Sequence, residues 1–277
     1  MPVVCSLQDE EQWVDCMEEP YRSQVWDMIR EKIQNVEGFI AVSEYYTSLM
    51  KEKLAIPGEK LFTVYPGIDP DKFELSARPF DPPVIGYMAR LAASQGLGNL
   101  IEAFMLLKKE EQFRNVKLHI NGGQTGDDVD FIDSIKKKTS EHGVRDDILF
   151  FDRFGEKDRK EFLKHITVMC VPCLQGESFG LFQIEAMAAG VPVVQPEAGA
   201  YPEIIQATGG GVTYTPDSPQ DLADKLSAVL KDPELVKSLG DSGYNAVRDT
   251  FKLKLSAEKT VEVYEKIVDN LDTSSKT

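Results

Sequence analysis

Residues 176–194 read Gly-Glu-Ser-Phe-Gly-Leu-Phe-Gln-Ile-Glu-Ala-Met-Ala-Ala-Gly-Val-Pro-Val-Val, and this stretch decides the fold. Gly176, Ser178 and Gly180 let the backbone turn sharply before Leu181 opens an apolar helix. Gly190 ends that helix, and the β-branched run Val191–Val194 reads as the next buried strand. Two acids, Glu177 and Glu185, stand eight residues apart across the loop-to-helix junction. A helix start with free N–H groups suits phosphate, and carboxylates accept hydrogen bonds from sugar hydroxyls. The stretch therefore suits a ligand that is anionic at one end and rich in hydroxyls at the other, as a nucleotide sugar is.

On either side the pattern alternates strand and helix. The spacing predicts a helix over Tyr21–Val36, a strand at Gly38–Val42, and a helix capped by Ser43 that runs to Leu54. A strand at Leu61–Tyr65 follows, ended by Pro66-Gly67. Ser76-Ala-Arg-Pro-Phe-Asp-Pro-Pro83 then breaks the rhythm and reads as a linker. Beyond it come strands at Val84–Met88, Lys117–Asn121, Ile148–Phe151, Thr167–Val171 and Gly211–Tyr214. The intervening helices lie at Asn99–Lys109, Val129–Glu141 and Lys157–His165, with a short turn at Pro202–Ile205. Helices at Gln220–Leu230, Pro233–Thr250 and Leu255–Leu271 close the chain, and Thr273–Thr277 reads as a frayed tail. Strands alternating with helices of this length mean βαβ units, a parallel sheet, and ligands at the carboxyl ends of strands.

The 277 residues carry 46 acidic and 31 basic side chains, a net charge of −15. Such a balance argues against a nucleic-acid partner, which needs a basic footprint. The longest apolar runs are too short to span a bilayer, and the Met1–Glu11 stretch lacks the basic flank of a signal peptide. Cys170 and Cys173 form a C-x-x-C at the end of an apolar strand rather than at a helix start. With Cys5 and Cys16, and with His119, His142 and His165 off ligand spacing, they read as reduced cytosolic thiols, not a redox or zinc pair. Gly126-Asp127-Asp128 reads as a solvated acidic loop rather than a metal site. Gly96-Leu97-Gly98 reads as a helix-opening loop, not a dinucleotide fingerprint. Tyr45, Tyr46, Phe104 and Phe162 suit helix faces packed on a sheet.

Taken with its flanks, the Glu177–Val194 stretch closely resembles the E-x7-E signature of family 4 retaining glycosyltransferases, which have the two-Rossmann GT-B fold. Tyr65-Pro66-Gly67-Ile68-Asp69 is similar to that family's hinge. Gly86-Tyr87-Met88-Ala89-Arg90-Leu91, with Gly96-Leu97, resembles its diphosphate loop. Gly199-Ala200-Tyr201-Pro202-Glu203-Ile204 resembles its G-G-x-P-E turn, and the likeness covers roughly residues 38–270.

The resemblance implies an α/β chain: part of an acceptor-side Rossmann-like domain over 1–75, a parallel-sheet donor-binding domain over 76–250, and a C-terminal helix and tail over 251–277. It implies transfer of a sugar, with retention, from a nucleotide-diphosphate sugar to an acceptor hydroxyl that the sequence does not name. The leaving diphosphate would help deprotonate that acceptor, with no cofactor and no metal. By that likeness Glu177 lies beside the transferred sugar, Glu185 holds the ribose, and Arg90 neutralises the leaving diphosphate. Ser178, Phe179, Gly180 and Leu181 form the turn and helix start that face the diphosphate. The loops of Gly122 and Phe154 line the base, although Gly122-Gly123 reads equally as a tight turn.

Gln95 stands where the family has a second cation, a lysine, and supplies an uncharged amide instead. The acceptor side also looks short. The expectations left open are a fragment, a split enzyme completed by a partner polypeptide, or a nucleotide-sugar-binding module that does not transfer. The expected location is the cytoplasm, free or peripheral at a membrane.

Overall fold

A computed structural model describes residues 2–151 and 153–274, and the chain forms two compact units. Unit 1 comprises residues up to Gly67, the short segment Glu177–Phe179, and the stretch from Phe251 onward; unit 2 comprises Ile68–Gly176 and Gly180–Thr250.

Unit 1 opens with β1 (Val4–Leu7), α1 (Glu10–Val14), α2 (Tyr21–Lys32), β2 (Gly38–Ala41), α3 (Glu44–Leu54) and β3 (Leu61–Thr63). The strands make a three-stranded parallel sheet in the order β1-β2-β3. Ser43 caps α3 as expected, its Oγ accepting the Tyr46 N–H at 3.0 Å. The helix expected to reach Val36 stops at Lys32 and tightens into a 3-10 turn over Ile33–Asn35.

Unit 2 contains β4 (Val84–Met88), α4 (Leu97–Leu107), β5 (Lys117–Asn121), α5 (Val129–Glu141), β6 (Ile148–Phe151) and α6 (Glu156–Leu163). It continues with β7 (Val168–Met169), α7 (Leu181–Ala188), β8 (Val193–Pro196), α8 (Tyr201–Thr208), β9 (Gly211–Tyr214), α9 (Pro219–Leu230) and α10 (Pro233–Thr250). Its six-stranded sheet is parallel throughout, in the order β6-β5-β4-β7-β8-β9. Numbered within the unit, that is the doubly wound order 3-2-1-4-5-6, whose direction reverses between β4 and β7. Loops leaving those two strands diverge from a crevice at the carboxyl edge of the sheet, where such folds take ligands.

Two differences from the sequence reading have local causes. Val191 still closes α7: its N–H reaches Ala186 O at 2.9 Å while the Gly190 N–H reaches Met187 O at 2.8 Å. This C-terminal motif delays β8 to Val193. The turn expected at Pro202–Ile205 is a full helix, α8, because Pro202 lies in the first turn, where its missing N–H is not needed. Unit 2 begins at Ile68, ahead of the proline-rich stretch. The proline-rich stretch is not a free linker: Ser76 N bonds Ala189 O at 2.8 Å, Ala77 N bonds Lys164 O at 3.1 Å, and Arg78 pairs with Asp241 at 2.8 Å.

The last helix, α11 (Leu253–Ser274), is not separate either. Its Val263 and Ile267 are buried with Ile40 and Val64 of unit 1. The remainder of the expected frayed tail, 275–277, lies outside the described residues. No helix among the described residues is long and apolar enough to cross a membrane.

Candidate functional site

In unit 2 the switch-point loops are built by close backbone approach. Gly96 is left-handed, and a Cβ there would meet Pro172 O at 1.7 Å, so only glycine lets the β4 and β7 loops touch. Leu174 N then bonds Ser94 O at 3.1 Å. A Cβ on Gly122 would meet Ala89 O at 1.8 Å. Its missing side chain thus serves the backbone of the β4 loop, which favours the tight-turn reading at that residue. The Tyr87 hydroxyl donates to Arg90 O at 2.8 Å and lies 3.5 Å from Gln95 O, fixing the loop between the two positions singled out in the sequence.

Arg90 is not an isolated cation. Its Nε lies 3.1 Å from Asp128 Oδ2 and its Nη2 lies 3.1 Å from Asp128 Oδ1, while Nη2 also reaches Thr125 Oγ1 at 2.9 Å. Thr125 donates its N–H and hydroxyl to Asp128 Oδ2 at 2.7 and 2.9 Å, closing a capping box. The Asp128 side chain is 6% exposed and the Arg90 side chain 53%. Asp128 is therefore not the solvated loop residue expected. The hydrogen bond from Arg90 holds its carboxyl below the usual range, and the same bond raises Arg90. Among the described residues no acidic or histidine cluster could hold a metal ion.

On α7, Glu185 forms a two-point ion pair with Arg159 of α6, at 3.1 Å to Nη2 and 3.4 Å to Nε. Arg159 also stacks over the Phe154 ring, 5.4 Å from its centroid, and donates to Phe154 O at 3.4 Å. Glu185 and Phe154, both singled out in the sequence, are thus tied together by an arginine that the sequence reading missed. Gly180 is left-handed, with φ 81°, and leaves the start of α7 without a side-chain cap. Leu181 at that start is 48% exposed.

A cavity of about 290 Å³ beside β5, β6 and α6 is lined by His119, Asn121, Phe151, Arg153 and Phe162, among others. Gly122 and Gly123 line a second cavity, of about 350 Å³, which shares Phe151 with the first. Burial pushes His119 below its ordinary value, with His165 and Lys117 acting in the same direction. Cys170 and Cys173 are buried and form no disulfide. Burial raises the Cys170 thiol, the opposite of what a redox thiolate needs. Tyr46, Phe104 and Phe162 are buried as expected.

In unit 1 the segment Glu177–Phe179 is clamped from both sides. Ser178 donates its N–H to Asp9 Oδ1 at 3.0 Å and accepts the Ser43 hydroxyl on its carbonyl at 2.6 Å. The Ser178 N–H is therefore already committed and is not a free phosphate donor. Phe179 is buried against Tyr65 and Phe251, with ring centroids 6.1 and 5.9 Å away. Its side chain serves packing. Glu177 is half-buried and makes no hydrogen bond or ion pair to a described residue. Burial, and then the nearby Asp9 charge, push its pKa up to about 7.

Asp9 and Arg159 carried no local signal, since each acts on a distant part of the chain. Asp128 carried one: Thr125-x-x-Asp128 has the spacing of a capping box. The six-stranded doubly wound sheet defines the class, a parallel α/β domain of the kind that takes ligands at its switch point.

Residues 69–246 match the family described as glycosyl transferases group 1, and the chain belongs to that family. It is similar to an MMP alpha-(1->4)-mannosyltransferase of Mycolicibacterium hassiacum, 26% identical over 246 residues that cover 87% of this chain and 57% of the relative. A D-inositol 3-phosphate glycosyltransferase of Corynebacterium glutamicum is 27% identical over 72% of this chain and 47% of its own. The chain spans about half the length of the curated relatives it matches. The fold superposes on a sucrose-phosphate synthase from Thermosynechococcus elongatus with TM-score 0.83 at 20% identity, covering 96% of this chain and 68% of that one. It also superposes on Anabaena HepE, solved with UDP and glucose, with TM-score 0.78 at 18% identity and coverage of 98% and 72%.

Proposed function

We propose that the chain is a family 4-like retaining glycosyltransferase moving a sugar from a nucleotide-diphosphate sugar to an acceptor hydroxyl. The observations that carry this are three features of unit 2: an oriented arginine, a helix start without a side-chain cap and a fixed carboxylate. Arg90 would stabilise charge developing on the leaving diphosphate, and the N–H groups at the start of α7 would add to it. Glu185, held by Arg159, would accept from the ribose hydroxyls, and the cavity with Asn121, Phe151 and Arg153 would take the base. Glu177 would lie against the transferred sugar. The reaction needs no metal on this reading, and the acceptor stays unnamed.

The MMP alpha-(1->4)-mannosyltransferase and the UDP-bound fold relative support a nucleotide-sugar donor. A second reading has its own support. Gln95 is uncharged and Asp128 offsets the charge of Arg90, which favours a donor-binding module, or the donor subunit of an enzyme completed by a partner polypeptide. A turnover assay with UDP-, GDP- and ADP-sugars separates the two. Release of nucleoside diphosphate, lost in Glu177→Gln, supports transfer; donor binding without release supports the module. A product of inverted anomeric configuration would contradict retention.

A further inference from the structure

Asp9 lies 169 residues from Ser178 in sequence, yet takes that residue's backbone N–H at 3.0 Å. Its backbone is left-handed, with φ 60° and ψ 23°, a conformation a non-glycine residue keeps only when its surroundings hold it there. Those surroundings are visible. The Tyr46 hydroxyl accepts the Glu10 N–H at 2.8 Å and lies 2.6 Å from Glu10 Oε2 and 2.5 Å from Glu11 Oε2, pinning the start of α1 to α3. Gln12 closes the turn, its N–H reaching Asp9 O at 3.1 Å and its side-chain amide reaching Asp9 Oδ1 at 3.4 Å. Asp9 Oδ2 makes no hydrogen bond to a described residue.

Resting on the transferase reading, we propose that Asp9 is a positioning residue for the chemistry at Glu177. One carboxylate oxygen fixes the Glu177–Ser178 peptide, while the negative charge stands beside the Glu177 carboxyl. Ser43 holds the next peptide through the Ser178 carbonyl, so residue 178 has two anchors in unit 1, and only Asp9 is charged. The charge acts on Glu177 in the same direction as burial, favouring the protonated carboxyl near neutral pH. Among the described residues, Glu11 on α1 and Tyr45 on α3 feel the Asp9 charge, with Glu10 next to it in sequence and Tyr46 bonded to both glutamates. None of these is a cation that would cancel the effect. A protonated Glu177 donates a hydrogen bond to a sugar hydroxyl, and an ionised one accepts.

The test uses the full chain labelled with 13C at the glutamate carboxyls, with Glu177→Gln assigning the Glu177 signal. Asp9→Asn keeps an oxygen for the Ser178 N–H but removes the charge; Asp9→Ala removes both. The Glu177 midpoint is expected near pH 7 in the wild type. It should move to lower pH in both variants, while Ser178 amide exchange speeds up in Asp9→Ala and is restored by Asp9→Asn. Donor turnover should fall at least about tenfold in kcat for Asp9→Ala with little change in donor KM. An unmoved Glu177 midpoint, or equal Ser178 protection in all three proteins, overturns the proposal. A wild type that binds no nucleotide sugar defeats the transferase reading instead, and the titration and exchange still decide the role of Asp9.

Discussion

Glu177 and Glu185 belong to one sequence signature but stand in opposite surroundings. Glu185, on a regular helix of unit 2, is gripped at two points by Arg159. Glu177, in a three-residue excursion that packs with unit 1, pairs with no cation among the described residues and feels the Asp9 charge. A carboxylate held at two points by a guanidinium is a fixed, oriented acceptor. A half-buried carboxyl beside a like charge is poised to hold or lose a proton in the physiological range. Two identical residues eight positions apart thus stand in different electrostatic surroundings, and the difference lies in partners supplied by distant segments.

Four substitutions probe that contrast. Arg90→Ala should have the largest effect, lowering donor turnover by about a hundredfold, because the oriented cation at the switch point is lost. A steady-state assay checks it, and an unchanged kcat would detach Arg90 from the chemistry. Glu185→Ala should weaken donor affinity by about tenfold and leave kcat nearly intact, since it removes an acceptor and frees Arg159. Glu177→Gln should do the reverse, lowering kcat with little change in affinity. Equal responses from the two would break the comparison.

Gln95→Lys should raise turnover several-fold, as a charge-assisted bond is about twice as strong as a neutral one. No gain would mean that Asp128 already sets the charge at that loop.

The smallest effect concerns stability. The Glu177 pKa is raised above its unfolded value, so the folded protein binds that proton more tightly. Its stabilising contribution is full below the unfolded pKa of about 4.3 and is lost as pH rises through about 7. Thermal melts should therefore show Glu177→Gln gaining on the wild type between pH 5 and pH 8, by about a few degrees.

Much of unit 2 was legible because its signals are local. The strands Val84–Met88, Lys117–Asn121 and Ile148–Phe151 fall where the apolar runs put them, since each is bounded by turn residues. Ser43 was readable as a cap for the same reason. What the sequence hid was long-range. The proline-rich stretch looked like a linker until Ser76 was seen bonded to the carbonyls of Ala189 and Ile166. The residues that hold the site, Asp9 on Ser178 and Arg159 on Glu185, come from other elements, and no spacing rule reaches across 169 positions.

Calorimetric titration of the wild type and Glu185→Ala with UDP-, GDP- and ADP-sugars tests the central claim, that unit 2 carries a nucleotide-sugar site with Glu185 in it. One nucleotide series should bind the wild type and lose about tenfold in affinity on the substitution. No heat with any of the three series, or equal binding by both proteins, would contradict it.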